Sequence, residues 1–286
     1  MSKFCSNCGK PVLFGTVFCT NCGKVIPEFD VRVNTTFFNI NNRSTFNEKL
    51  EKIKLSSSVP QILVNCKILS LTVNGGDSED IEISWYETGS WGLEINHTDT
   101  LLSIREQSYL GLQNISDVFV PEKYRHLNIC IPKKYNGAIE LSTGTGTIEL
   151  SNFEATGRIG VVSTIGYVDI KHVKGNQSAY IQTTAGKIRV VELYTDEELS
   201  ITTNIGEIRG RRIDSGTRIL LKSQTGIIDC IIADDEANYK TIKHSNRTPY
   251  TVNEASGQGH KLLDVSTTIG DIKILFEGSE HQAKEA

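Results

Sequence analysis

The chain has 286 residues, of which 38% are hydrophobic and 22% charged, and its 30 Lys and Arg against 34 Asp and Glu give a formal net charge of −4. This composition is ordinary for a soluble globular protein and lacks the basic excess of a broad nucleic-acid binder, so nucleic acid is not an expected partner. No apolar run reaches the ~18 residues that a membrane-spanning helix needs, and the N-terminus lacks the apolar core of a secretory signal. We therefore expect a cytoplasmic protein without a membrane span, with any membrane association made through partners.

Two nearly identical segments open the chain, FCSNCGK at 4–10 and FCTNCGK at 18–24. Each holds a C-x-x-C pair, a spacing that lets one tight turn offer both sulfurs to a single tetrahedral ion. The four thiols are Cys5, Cys8, Cys19 and Cys22. Four thiolates fill the coordination sphere of Zn²⁺ and leave no position for water or substrate, so we predict one structural zinc ion. The alternatives are a redox pair, which needs a βαβ setting absent here, and disulfides, which suit a secreted chain.

This segment resembles the short bacterial zinc-ribbon family over residues 1–27, because Gly9 and Gly23 follow the two cysteine pairs as in knuckles of the form C-x-x-C-G. So short a segment buries too little apolar surface to fold alone, and zinc would supply its folding free energy, on the order of 10 kcal/mol. We predict hairpin strands at 12–14 and 17–18. Its three lysines and absence of acids either dock an acidic partner or only solvate a small surface.

Residues 28–136 form a less regular lead-in, in which strand-like runs such as ILSLTV and LNICIP alternate with polar turns. We predict that they form wider first coils of the repeat structure that follows and cover its N-terminal edge. Residues 46–54 have two interpretations. Thr45 and Glu48 have the spacing of a capping box, which indicates a short helix, whereas KIKL indicates a strand.

From 137 to 277 the sequence repeats with a period of 20 residues. One glycine marks each unit, at Gly146, Gly166, Gly186, Gly206 and Gly226, and again at Gly270. Apolar residues alternate with polar ones on both sides of this glycine, which predicts two short strands per unit. Self-similarity at a fixed period is typical of a solenoid. We therefore predict a mainly β fold, a β-solenoid whose 20-residue coils stack at roughly 4.8 Å.

The seventh position of every unit is a hydroxyl residue: Thr143, Ser163, Thr183, Thr203, Ser223 and Thr267. A catalytic nucleophile would require one special hydroxyl with a base beside it. Six equivalent hydroxyls instead indicate a hydrogen-bonded ladder that satisfies the backbone of the glycine turns.

The thirteenth position of every unit is charged: Glu149, Asp169, Arg189, Arg209, Asp229 and Lys273. Glu149 and Asp169 would be neighbours on successive coils, and glycosidases use such carboxylate pairs. The basic residues that follow favour a solvated ladder of weak ion pairs. We therefore predict no catalytic residue and no bound organic cofactor.

An insertion at 237–260 interrupts the period. Insertions in solenoids are expected to form loops on one face, often the binding face. This one carries a basic and aromatic set: Tyr239, Lys240, Lys243, His244, Arg247 and Tyr250. It either binds a ligand or is a tolerated excursion or a flap over the core. Residues 278–286 are predicted to be a disordered polar tail, and Cys66, Cys130 and Cys230 are predicted to be buried thiols that act as small hydrophobes.

The stretch LNICIPKKYNGAIELSTGTGTIELSNF, followed by the glycine repeats, resembles the bacterial domain called toastrack or "putative adhesin". The matching positions are the Ile131–Pro132 strand end and the Gly146 series, and the resemblance covers about residues 30–276. It implies a right-handed, mostly single-stranded β-helix. It also implies a scaffold role, often in envelope-stress or membrane-associated signalling assemblies, without catalytic residues.

These observations lead to one preferred function and two alternatives. We expect a non-enzymatic bacterial interaction scaffold, in which the zinc ribbon docks one protein partner and the solenoid presents a binding face to another. A carbohydrate-binding or carbohydrate-active β-helix protein would use Glu149 and Asp169 in a cleft with aromatic platforms. A surface adhesin would be found outside the cell.

Overall fold

The computed structural model describes residues 3–4, 11–12, 47–53, 60–87, 91–108, 124–247 and 250–277. Within these ranges the chain is built from β-strands, with a 3-10 turn at Glu236–Asn238. None of their helical segments is long and apolar enough to cross a bilayer. The prediction of a mainly β fold is confirmed.

The strands that precede the repeats are β1 (Lys3–Phe4), β2 (Pro11–Val12), β3 (Asn47–Ile53), β4 (Gln61–Cys66), β5 (Ser70–Gly76), β6 (Ile81–Glu87), β7 (Trp91–His97), β8 (Leu102–Ser108), β9 (His126–Pro132) and β10 (Lys134–Tyr135). β1 and β2 pair antiparallel and flank the first cysteine pair. The predicted strand at 17–18 and the four cysteines lie outside the described residues, as does the tail at 278–286.

The strands of the repeat region are β11 (Ala138–Thr145), β12 (Ile148–Ala155), β13 (Ile159–Ile165), β14 (Val168–Gly175), β15 (Ala179–Ala185), β16 (Ile188–Thr195), β17 (Glu198–Ile205), β18 (Ile208–Ser215), β19 (Arg218–Thr225), β20 (Ile228–Ile232), β21 (Tyr239–Arg247), β22 (Tyr250–Ser256), β23 (Lys261–Ile269) and β24 (Ile272–Phe276). From β11 to β20 they alternate between two mainly parallel sheets around one core, whereas β21, β22 and β23 all lie in one sheet and β24 lies in the other. Sheet I has the order β24-β20-β18-β16-β14-β12-β5-β9-β6-β3, with β10 beside β12. Sheet II has the order β22-β21-β23-β19-β17-β15-β13-β11-β4-β8-β7.

In the repeats up to β20, most strand residues pair with the residue 20 positions along the chain, on the next coil. One such core column in sheet II runs Ile139, Ile159, Ala179, Leu199 and Ile219 and then passes over the insertion to Leu263. All six of these residues are buried. The apolar positions of the sequence pattern therefore form the core, and the parallel sheets are those expected of a β-solenoid.

Each coil passes from sheet II to sheet I at its corner glycine. Gly206 has a φ of +151°, a conformation that side chains rarely adopt. A Cβ atom on Gly206 would also lie 1.7 Å from the carbonyl oxygen of Gly186 in the preceding coil. The same contact recurs at Gly166, Gly186, Gly226 and Gly270, at 1.7–1.9 Å, whereas a Cβ atom on Gly146 would lie 2.5 Å from the carbonyl oxygen of Leu69. The glycine period thus reflects both the backbone conformation and the close stacking of the coils.

Sheet I contains a second periodic feature that the sequence analysis did not predict. One residue per coil is a non-glycine residue with φ between 54° and 61°, and these residues are Asn152, His172, Glu192 and Arg212. This left-handed conformation is uncommon for residues that carry a side chain. Inward-facing and outward-facing side chains alternate along the strand, and this residue shifts the alternation by one position. Leu150 and Phe153 of β12, three residues apart, are therefore both buried. β20 lacks this residue, and its register with β18 therefore shifts by one position.

Gly210 is the single gap in the apolar pattern of the repeats, and its neighbours explain it. A Cβ atom at Gly210 would lie 2.9 Å from Cys230 Sγ and 3.1 Å from Ile213 Cδ1. The thiol of Cys230 on the next coil therefore occupies the space that a side chain at position 210 would need.

The lead-in starts the solenoid, but it is not wound like the repeats. β4 and β5 form a coil in parallel register with β11 and β12. β3, β6 and β7 then join antiparallel, so the expected wider coils are interrupted. Of the segment 46–54, the described residues 47–53 form the strand β3 and not the helix, because so short a helix is marginal in water whereas the edge of β6 offers a continuous ladder.

The insertion forms a hairpin, so the prediction of a loop is wrong. After the 3-10 turn, β21 pairs parallel with β23, and β22 returns antiparallel to β21. The open edge of β23 offers backbone partners to any extended segment, which explains why the insertion extends the sheet. Sheet II consequently continues two strands past β23, whereas sheet I ends at β24.

Candidate functional site

A groove of about 490 Å³ on the outer face of sheet I is the candidate binding site. Apart from Ile188 and Val190, its lining residues come from three adjacent columns of the repeat: Tyr167, Lys187 and Glu207; Arg189 and Arg209; Val191 and Arg211. The strands hold the arginine column outward because the residues on either side of it, such as Ile188 and Val190, are buried in the core.

Positive charge dominates this groove, although the chain as a whole has a net charge of −4. Its lining contains four cations and one carboxylate, that of Glu207. Arg209 Nε donates to Glu207 Oε1 at 2.6 Å, and Lys187 Nζ lies 3.9 Å from Glu207 Oε2. Arg189 and Arg209 are direct neighbours in the register of β16 and β18. Like charges placed side by side in a sheet are destabilising, so the groove favours a negatively charged ligand.

Two acidic residues bound the positive region. On one side, the carboxylate of Asp229 neutralises Arg211 through bonds of 3.0 and 3.4 Å, and this hydrogen bonding lowers the pKa of Asp229. On the other side, Asp169 is only 7% exposed and pairs with Lys171 at 2.6 Å. The excess charge is therefore confined to a short stretch of the sheet.

Tyr167 and Val191 give the groove its apolar part. Burial raises the pKa of Tyr167, the charge of Asp169 adds to this, and the hydrogen bond with Arg189 acts in the opposite direction. The Tyr167 hydroxyl therefore stays protonated near neutral pH. The groove combines cationic donors with an aromatic surface, which suits a ligand that has an anionic group and an organic body.

The predicted carboxylate pair is adjacent in the structure, since Glu149 pairs in register with Asp169. Glu149 is exposed but Asp169 is buried, so the prediction of a fully solvated ladder is wrong at Asp169. The acids also form ion pairs with residues of the adjacent column and not of their own column, Asp169 with Lys171 and Asp229 with Arg211. Two arginines follow each other along the charged column, and the acids therefore find their partners in the adjacent column.

The hydroxyl column behaves as predicted. Its six members are buried, with exposures of 0–4%. Three hydroxyls donate to corner carbonyls, Thr143 to Leu69 at 2.8 Å, Ser223 to Gly206 at 3.1 Å and Thr267 to Gly226 at 3.2 Å. Thr183 donates to Thr203 at 2.8 Å. The hydrogen-bonded ladder beside the glycine turns is confirmed for these five residues, whereas Ser163 Oγ has no hydrogen-bond partner within the described residues.

The basic and aromatic set of the insertion does not form one surface, because Tyr239 is fully buried. Its hydroxyl donates to Asp214 Oδ1 at 2.5 Å. Lys261 Nζ lies 3.1 Å from Asp214 Oδ1 and 2.8 Å from Asp234 Oδ2, and it sits 5.5 Å from the centre of the Tyr239 ring. Burial opposes the charge on Lys261, but the hydrogen bonds to Asp234 and Asp214 outweigh it and raise the pKa of Lys261. This cluster, which we call the anchor, fixes the hairpin to the solenoid.

The three cysteines of the solenoid differ in exposure. Cys66 and Cys230 are buried, as predicted, and burial raises the pKa of both thiols, that of Cys230 to about 12. Cys130 is half-buried, because Ile129 and Ile131 take the inward positions of β9. The prediction that Cys130 faces the core is wrong.

Within the described residues, no group of three or more His, Cys, Asp or Glu side chains is placed to hold a metal ion. The predicted zinc ligands Cys5, Cys8, Cys19 and Cys22 lie outside those residues. The ladder of β1 and β2 sets the strands on either side of the first cysteine pair next to each other. Four thiolates remain the donor set that suits tetrahedral zinc.

The sequence analysis missed Tyr167, Lys187, Glu207 and Arg211 as parts of one site. They occupy the eleventh and fifteenth positions of the repeat, on either side of the charged column. A sum of charge over these three columns on successive coils would have shown the cationic region, because coil stacking makes residues 20 apart into neighbours.

The solved structures that resemble this chain include two proteins described as adhesion proteins or adhesins. A "putative cell adhesion protein" from Clostridium sporogenes has a TM-score of 0.35 and 12% identity, covering 82% of this chain and 100% of its own. A "putative adhesin" from Bacteroides fragilis has a TM-score of 0.49 and 16% identity, covering 80% of this chain and 97% of its own. No curated protein matches the chain in sequence.

Comparison with protein families identifies the repeat region and most of the lead-in strands. The family described as Toastrack DUF4097 matches residues 59–283. The matched residues make up the greater part of the chain. They include the coil of β4 and β5, the glycine corners and the cationic groove. The chain belongs to the Toastrack DUF4097 family.

Proposed function

We propose that this protein is a non-catalytic interaction scaffold whose solenoid binds a negatively charged partner on the outer face of sheet I. The groove carries the proposal, because its lining holds Lys187, Arg189 and Arg209 but only one carboxylate, that of Glu207, which pairs with Lys187 and Arg209. Parallel strands hold the backbone beneath these cations at fixed spacing, so binding requires no ordering of the backbone. The membership of the toastrack family is consistent with a scaffold.

We further propose that residues 1–27 bind one zinc ion and dock a second partner, in a cytoplasmic and reducing compartment where thiolates persist. The support is the donor set of four cysteines and the excess of lysine in this segment. Two docking sites on one chain would bring two partners together, as an assembly linked to envelope stress or membrane-associated signalling requires.

Affinity capture with the full chain tests both docking sites. We expect the charge-reversal pair Arg189→Glu/Arg209→Glu to lose one set of partners, and Cys5→Ser/Cys19→Ser to lose another. Arg212→Glu is the matched control, because Arg212 lies on the same strand but outside the groove. Identical partner sets from all variants would refute the scaffold function.

A carbohydrate-active enzyme is the alternative that one observation favours, namely the adjacency of Glu149 and Asp169 in the register. Release of sugars from bacterial polysaccharides, abolished by Glu149→Gln, would establish it. Recovery of the protein outside the cell on fractionation would instead favour an adhesin.

A further inference from the structure

The arrangement of the two arginines in the groove indicates the chemistry of the ligand, an inference that rests on the proposed function. Arg189 and Arg209 hold equivalent positions on successive coils, which stack at about 4.8 Å. Arg209 engages Glu207 through Nε, so within the described contacts its two terminal amino groups are available. Guanidinium groups bind phosphate and carboxylate oxygens through paired N–H donors. Two of them side by side can hold one oxyanion between them.

The charge balance favours a dianion. Lys187, Arg189 and Arg209 face one acid, Glu207, which leaves an excess of two positive charges. Arg211 adds nothing to this excess because Asp229 neutralises it. A phosphomonoester carries about −1.5 to −2 charge at neutral pH, which matches the excess. A single carboxylate would compensate only half of it.

The extent of the positive region favours a compact ligand. Asp169 precedes the two arginines in their column and Asp229 follows them. A long polyanion such as a nucleic acid would place further phosphates against these carboxylates. The groove volume of about 490 Å³ also falls within the range of small-molecule sites, about 300–1,000 Å³.

We propose that the groove binds a compact phosphomonoester. Arg189 and Arg209, with Lys187, hold the phosphate, and Tyr167 and Val191 contact the organic body. The groove recognises this group and carries out no reaction on it. The phosphomonoester is either a free small molecule or a phosphorylated side chain displayed by the protein partner.

Calorimetric titration of the full chain with phenyl phosphate, inorganic phosphate and phenol tests this proposal. Phenyl phosphate should bind and phenol should not. Arg189→Gln/Arg209→Gln should weaken the binding at least about tenfold, since hydrogen bonds to charged groups are lost. Arg212→Gln removes one positive charge from the strand of Arg209, at a position outside the groove, and should leave the affinity unchanged. Tyr167→Ala should weaken phenyl phosphate more than inorganic phosphate.

Three results would overturn the proposal: no binding of phenyl phosphate at millimolar concentration, equal binding of phenol, or full affinity in an Arg189→Gln/Arg209→Gln variant with an unchanged unfolding midpoint. Loss of protein partners on charge reversal, without any phosphate binding, would refute the ligand class and leave the scaffold function standing. If phenyl phosphate displaces the captured partner, the phosphate belongs to that partner. If it binds without displacement, the ligand is a free phosphomonoester.

Discussion

The corner glycines are the residues at which the stacking of coils depends on the absence of a side chain. At Gly206 an added Cβ would meet the backbone of Gly186 at 1.7 Å, and the φ of +151° disfavours any other residue. We predict that Gly206→Ala lowers the free energy of unfolding by at least about 3 kcal/mol, measured by urea denaturation.

Gly175→Ala is the matched control for this substitution. Its Cβ would first meet the flexible Ile159 side chain, at 3.2 Å, and the preceding coil already holds Ala155 at the same position. We expect a change within about 1 kcal/mol. Equal unfolding midpoints for the two variants would contradict the role assigned to the corner.

The thiols of the solenoid should differ in reactivity according to their burial. We predict that iodoacetamide at pH 8 modifies Cys130 in the folded protein but leaves Cys66 and Cys230 unmodified until the chain unfolds, because burial raises the pKa of both and blocks access. Peptide mapping by mass spectrometry measures each site. Modification of Cys230 at the rate of Cys130 would show that the core around Gly210 is open.

At the scale of elements, the anchor determines how firmly the hairpin of β21 and β22 is attached. Lys261→Met removes the cation from between Asp214 and Asp234. We predict a loss of about 1–3 kcal/mol in the free energy of unfolding and faster amide exchange in the hairpin. Lys240→Met is the control, because Lys240 is an exposed residue of the same hairpin. Unchanged exchange in the Lys261 variant would show that backbone pairing alone holds β21.

The anchor also limits the pH range over which the hairpin stays firmly attached to the solenoid. The raised pKa of Lys261 means that its contribution is complete below the usual value of 10.5 and is lost as pH rises through the folded value. Burial opposes the charge of Asp234, but hydrogen bonds from Lys261 and Asn238 outweigh it and lower the pKa of Asp234. That contribution is complete above the usual value of 3.8 and is lost as pH falls through the folded value.

We therefore expect hairpin protection to be flat between about pH 4 and 10 and to fall on both sides. Amide exchange, corrected for its intrinsic pH dependence, measures this profile. The Lys261→Met variant should lack most of the dependence on the acid side. If hairpin protection falls in the same way at acid pH in both proteins, carboxylates outside the anchor are responsible for the fall.

A structural feature could be predicted from the sequence where only one residue type can fill its position. Only glycine fits the corner, so Gly146 and its equivalents revealed the coil length. The left-handed position in sheet I holds Asn152, His172, Glu192 and Arg212, which are all polar but share no residue type, because the in-register pairs on either side of it hold the backbone there. No single residue type therefore recurs at this position in the sequence. The groove was missed for a related reason, since its charge is distributed over three columns that contact one another only after folding.

At the scale of the whole molecule, the solenoid and the cysteine segment should be separable. The described core is built from residues between Ile62 and Phe276. We predict one zinc ion per chain by elemental analysis, lost in Cys5→Ser/Cys19→Ser, with the main thermal transition moved by less than about 2 °C. A control at Cys130→Ser should keep the zinc. Zinc retained in the double variant would refute the four-thiolate site.

Because each coil contacts chiefly the coil before and the coil after it, the solenoid is an array of units that a gene can lengthen by duplication. The groove occupies the part of the array between Tyr167 and Arg211. Duplicating a unit outside this part would preserve the 20-residue register and lengthen the solenoid without changing the groove. Duplicating the unit that carries Arg209 would instead add a cation to the row. Evolution can thus adjust the span of the molecule and the specificity of its groove independently, by changing where a unit is copied.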